Sequence, residues 1–130
     1  MSKLSENRNT PELHVDAVKY HYERTADSEI YAGSLVGQNS AGNAVAAADT
    51  ANLVVLGRAE NSAVAGEKIV AKKGCFLFEN GEGGEALTVA DIGKDCYIVD
   101  DQTVGKIGGT NKIKAGKVID VTADGVAVLI

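Results

Sequence analysis

The stretch "CYIVDDQTVGKI", residues 96–107, sets two adjacent acids, Asp100 and Asp101, between two runs of β-branched residues. Paired carboxylates hold divalent cations and trade protons with substrates. Either task needs both groups aimed at one point. On a strand, successive side chains point to opposite faces, so adjacency works against convergence. Gln102 and Thr103 follow, and Asp readily bonds its own backbone, which is turn chemistry. The reading is a hairpin tip with no catalytic or metal role.

The other candidates fare no better. His14 and His21 lie near Asp16 and Glu23, but their spacing on a strand puts the rings on opposite faces and leaves no third ligand. Cys75 and Cys96 form no CxxC and have no neighbouring His, so neither zinc binding nor thiolate catalysis is expected. An aromatic follows each, Phe76 and Tyr97, and both are read as buried free thiols in strands; a disulfide between them is the alternative. Ser34 and Ser62 sit in no nucleophile elbow. "GEGGE", residues 81–85, has the glycines of a phosphate loop but not its Lys and Ser/Thr, and Glu82 and Glu85 would repel a pyrophosphate. Lys106, Lys112, Lys114 and Lys117 make a loose basic cluster, read first as a solvated face and second as a contact for an acidic protein. No enzyme activity, metal or cofactor is expected.

The chain that carries these residues has 130 residues, enough for one domain. Aromatics are only 5% and Gly numbers 15, so the core is built of small side chains that bury little area each. Stability is then expected to draw on a partner surface. The net charge of −5, with acids spread along the chain, argues against nucleic acid as a direct ligand. No apolar run approaches a membrane span, and "MSKLSENRNTPEL" lacks a signal peptide's hydrophobic segment, so a protein that stays in the cytoplasm where it is made is expected.

Residues 1–13 are polar, hold the single Pro and are read as an N-terminal arm; residues 14–130 are read as one β-rich domain. "VKYHYER" alternates Val18, Tyr20 and Tyr22 against Lys19, His21 and Glu23, the pattern of a half-buried strand. Strand segments follow around Leu35, over residues 53–59, at Ile69 and Val70, and over residues 75–78, 96–99, 116–121 and 126–130. Asn39, Gly42 and Asn43 supply one turn and "TADG" another. The alanine cluster at residues 44–51 is read as strand end plus loop, since it has no amphipathic period. One helical turn is expected in "LTVADIG", with Thr88 as N-cap, Asp91 as its partner and Gly93 closing it. The fold class is all-β: a small barrel or sandwich, of jelly-roll or β-tulip type, with one short helical turn and an extended arm.

The order of these pieces carries a resemblance. "VVLGRAENSAVAGEKIVAKKGCFLFEN", then "TVADIGKDCYIVDDQTV", then "AGKVIDVTADGVAVLI" resemble successive elements of tailed-phage capsid decoration, or cement, proteins, and "ENRNTPE" is similar to the arm of prophage-encoded relatives. The resemblance implies a virion structural protein that binds the major capsid protein on the outside of the head, self-associates (a trimer before a dimer) and has no catalytic residues. It implies no membrane or nucleic-acid partner. In the arm, Leu4, Arg8, Asn9, Thr10, Pro11 and Leu13 are the expected capsid contacts. The alternatives are a tail or baseplate accessory protein and a lipoyl-type carrier or sugar-binding β-domain, the latter weakened because Lys72 and Lys73 lack the setting of a modifiable lysine.

Overall fold

The computed structural model describes Lys3, residues 5–9 and residues 21–130. Ten strands follow in chain order: β1 (His21–Thr25), β2 (Leu35–Gln38), β3 (Ala44–Ala46), β4 (Val54–Ala59), β5 (Lys68–Lys72), β6 (Cys75–Asn80), β7 (Asp95–Ile98), β8 (Thr103–Gly105), β9 (Lys114–Thr122) and β10 (Gly125–Leu129). They make a five-stranded sheet in the order β1-β5-β4-β2-β3 and a closed five-stranded barrel, β10-β6-β8-β7-β9. Within the barrel β6 and β8 run parallel, and its other pairs are antiparallel. Among the described residues the only helical pieces are 3-10 turns at Gly83–Glu85 and Val89–Asp91. The all-β expectation is met, as barrel plus sheet.

Period-two alternation divides the sheet's apolar residues between two cores. Leu35, Ala47 and Leu53 are buried with the barrel interior of Phe78, Cys96, Ile98, Val104, Val118 and Val126. Their alternates Val36, Ala44 and Leu56 turn to the other face, where they meet Ala26, Ile30, Ala63, Ile69 and Ala71. The sheet is therefore apolar on both faces, with one face completing the barrel's core. Tyr22 packs half-buried on the second core while His21 and Glu23 stay exposed, as the alternation requires. The rest of that segment, with Val18, Lys19 and Tyr20, lies outside the described residues.

The turns form as their residues dictate. The Asn39 side chain accepts the N–H groups of Ala41 and Asn43, each at 3.1 Å. At the second 3-10 turn, Thr88 donates its N–H to Asp91 Oδ2 (2.8 Å) and its Oγ1 accepts from Ala90 N–H (3.3 Å), a capping box. Gly93 ends the turn with φ 88°, where a side chain would be strained. The alanine cluster is strand β3 followed by loop. In β9, Val118 pairs with Val128 and Asp120 with Ala127, leaving Ile119 as an inserted residue. This bulge lets Ile119 and Asp120 both face solvent before Val121 returns inward.

Candidate functional site

Asp100 and Asp101 sit at the tip of the β7–β8 hairpin and serve the fold. Asp100 Oδ1 accepts Gln102 N–H at 2.9 Å, a local turn bond. The Asp101 carbonyl accepts Leu35 N–H at 2.7 Å, and its carboxylate lies 3.5 Å from the Ser34 hydroxyl. The barrel's hairpin thus docks on the first residues of β2, and the two carboxylates have separate partners.

The cysteines divide. Cys96 is fully buried, and desolvation pushes its thiol up to about 11. Cys75 is free but exposed, against the expectation of two buried thiols. The reason is phase. In β6, Phe76 and Phe78 turn inward, so Cys75, Leu77 and Glu79 must turn out. In β7, Cys96 and Ile98 are the inward pair and Tyr97 faces outward. An aromatic neighbour marks a strand but not which of the two residues faces the core.

The last residue of the Gly-rich loop has a task the sequence did not disclose. The Glu85 carboxylate accepts the N–H groups of Ile107 (2.7 Å), Gly108 (3.0 Å) and Gly109 (3.2 Å). Asp49, on the loop after β3, accepts those of Thr110 and Asn111, both at 2.9 Å. Two acids, one from each half of the molecule, thereby hold the β8–β9 loop through consecutive backbone donors. Burial raises the Glu85 pKa, but the N–H bonds from Gly108, Ile107 and Gly109 together outweigh it and leave it lowered. Asp49 is lowered first by the N–H of Thr110, then by that of Asn111. The only local hint is the pair Gly108-Gly109, whose φ values of 82° and 60° turn successive N–H groups to one side. The acids that meet the loop's N–H groups lie 22 or more residues away in sequence.

Lys72 is the last residue of β5, paired with His21 and Arg58, and Lys73 begins the crossover to β6 in the barrel, a strand that does not pair with β5. His21 is exposed at the start of β1; His14 and Asp16 lie outside the described residues. No group of three His, Cys, Asp or Glu side chains among the described residues is placed to hold a metal. Of the arm residues expected to touch a capsid, Arg8 and Asn9 are exposed, whereas Leu4, Thr10, Pro11 and Leu13 lie outside the described residues.

Two surfaces remain as candidates for binding. The first is the outer face of the β6–β10–β9 wall. Leu77 (56% exposed), Ile119 (43%) and Leu129 (38%) stand there. Ala127, which pairs with both Leu77 and Asp120, lies between the first two, and Cys75 pairs with Leu129. The second is a cleft beside the capped 3-10 turn, lined by Lys94, Lys106, Lys112 and Lys117 with Tyr97 and Leu87. Three members of the loose lysine cluster are thus gathered, Lys94 joins them, and Lys114 pairs with Asp95 at 3.4 Å.

No family model matches the chain, and no curated protein or solved structure matches it significantly.

Proposed function

We propose that this chain is a virion structural protein: a cement subunit that binds the outer face of a phage capsid, ties neighbouring capsid subunits together and stabilises the mature head, without enzymatic activity or cofactor. The observation that supports this reading best is the outer wall of the barrel, where three large aliphatic side chains are exposed among Glu79, Lys117 and Asp120. Leu77, Ile119 and Leu129 share one strand-built surface and stay exposed, while the aliphatic and aromatic residues of the opposite phase, such as Phe78, Val118 and Val128, fill the core. Burying such a surface against a second copy or a capsomer contributes on the order of 25 cal/mol per Å² of apolar area removed from water. The reading assigns the wall to self-association, with a trimer favoured, and the arm through Leu4, Arg8, Asn9, Thr10, Pro11 and Leu13 to the major capsid protein. The resemblance in the order of sequence elements points the same way.

Gold-labelled antibody against the protein, applied to particles of the phage that encodes it, tests the assignment. Label distributed over heads is the expected result. Label confined to tails or baseplates would replace it with a tail-accessory role, and absence of label from particles would end it.

A further inference from the structure

The cleft beside the capped turn has properties that cement function does not require. Lys94 Nζ lies 3.9 Å from Asp91 Oδ1, and Lys106 Nζ lies 3.7 Å from Oδ2 of the same carboxylate. Lys117 Nζ reaches the Gly93 carbonyl at 3.5 Å, and Lys112 Nζ stands 5.5 Å from the centre of the Tyr97 ring. Two ammonium groups therefore flank one buried aspartate, whose Oδ2 already accepts the Thr88 N–H, and two more, those of Lys112 and Lys117, line the same cleft. Asp95, the other acid in the cleft, is paired with Lys114. Positive charge is in excess here, on a chain of net charge −5.

The lysines are held loosely. Their contacts are long, and the Lys94 and Lys106 side chains are 69% and 50% exposed. Their backbone supports are firm by contrast. Lys106 and Lys112 flank the loop that Glu85 and Asp49 fix through its N–H groups. Lys94 leaves the capped turn, and Lys117 belongs to β9. Exposed ammonium groups on a backbone fixed in this way are available to pair with carboxylates.

Exposed aliphatic residues neighbour the cleft in sequence: Val89 (68% exposed) and Ile92 (45%) lie on either side of the lining residue Asp91, and Ile107 (49%) follows the lining residue Lys106. The cleft is open, with a volume near 570 Å³, which suits an extended segment rather than an enclosed small molecule. Aliphatic side chains beside lysines, with a single Tyr and no Arg lining the cleft, favour a peptide carrying acidic and aliphatic residues over stacked bases.

We propose that this lysine-lined cleft is a docking site for an acidic segment of another protein, in which carboxylates pair with Lys94, Lys106, Lys112 and Lys117 while neighbouring aliphatic side chains cover Val89, Ile92 and Ile107. The inference does not depend on the partner's being a capsid, and its test uses none.

A short fluorescein-labelled peptide of alternating Asp and Leu, titrated with the full chain, should bind and should lose affinity as salt rises. Binding should fall at least about tenfold in the double variant K112A/K117A. The control K68A/K72A, two lysines on the sheet, should bind like the unsubstituted protein. Amide NMR shifts of the unsubstituted protein on peptide addition should concentrate at residues 89–97 and 106–117, a readout that needs no variant. Absence of peptide binding would overturn the proposal. So would equal loss in the control, shifts centred elsewhere, or tighter binding of an oligothymidylate than of the peptide, which would mark a nucleic-acid site. Failure of gold labelling on heads would leave these outcomes unchanged.

Discussion

Glu85 is the side chain on which most depends locally. It accepts backbone donors from Ile107, Gly108 and Gly109, and nothing else nearby replaces it for Gly108 N–H, which it meets with both oxygens. Glu85→Ala is expected to destabilise the fold by about 2 kcal/mol, because bonds to a charged acceptor are lost and the part-buried Gly108 donor is stranded; denaturant unfolding measures it. Glu85, Asp49 and Asp91 share one pH consequence. Asp91 is lowered chiefly by the Thr88 N–H, with desolvation opposing and Lys106 and Lys94 assisting. All three carboxyls sit below their usual values, so each contributes stability that is complete above the unfolded-state value of roughly 4. That contribution is lost as pH falls through the lower folded-state values. The unfolding midpoint should therefore be flat from neutrality to about pH 5 and drop below about pH 4. A midpoint unchanged in that acid range would show that these bonds contribute nothing. The cysteines give a second residue-scale test. With a thiol-reactive dye the native protein should release one fast equivalent, from exposed Cys75, and a second, from Cys96, only on unfolding.

At the scale of the element, β9 and β10 close the barrel through a contact that tolerates no side chain. A Cβ at Gly116 would run into the Leu129 carbonyl oxygen and the Val128 side chain. Gly116→Ala should cost about 1–3 kcal/mol through forced separation of the strands. Gly84→Ala, where the nearest atom is Ile107 Cδ1 at 3.4 Å, should change stability far less. Thermal unfolding of the two variants compares them directly. Much at this scale was legible in the sequence. Turn residues announced the hairpins, and the spacing of Thr88 and Asp91 announced the capped turn, because both are set by local bonding. Bulges were not legible: Ile119 breaks the alternation of β9 only because β10 pairs across it. The phase of β6 was hidden for the same reason. Partners distant in the chain decide it, as they decide that Glu85 and Asp49 share a loop. The candidate surfaces follow suit, since Lys94 joins Lys106, Lys112 and Lys117 only once β7 and β9 are paired.

The described residues form two β units that share a core. Leu35, Ala47 and Leu53 cross from the sheet into the barrel's interior, Arg58 of β4 stacks 4.1 Å above the Phe76 ring of β6, and Asp49 and Asp101 add the polar ties. Sheet and barrel should therefore unfold in one transition. The proposed role also assigns residues 1–13 a task separate from this core. Removing residues 2–12 should leave the unfolding temperature nearly unchanged while weakening binding to heads at least tenfold, about 1.4 kcal/mol. Equal decoration by the truncated protein would take the arm out of the account. Stabilisation of the head from outside can be measured by heating DNA-filled heads that lack the protein, with and without purified protein added back, and reading the temperature at which DNA escapes. Saturable binding and a higher release temperature are expected; heads that stay bare, or that release DNA at the same temperature once coated, would rule out the cement role.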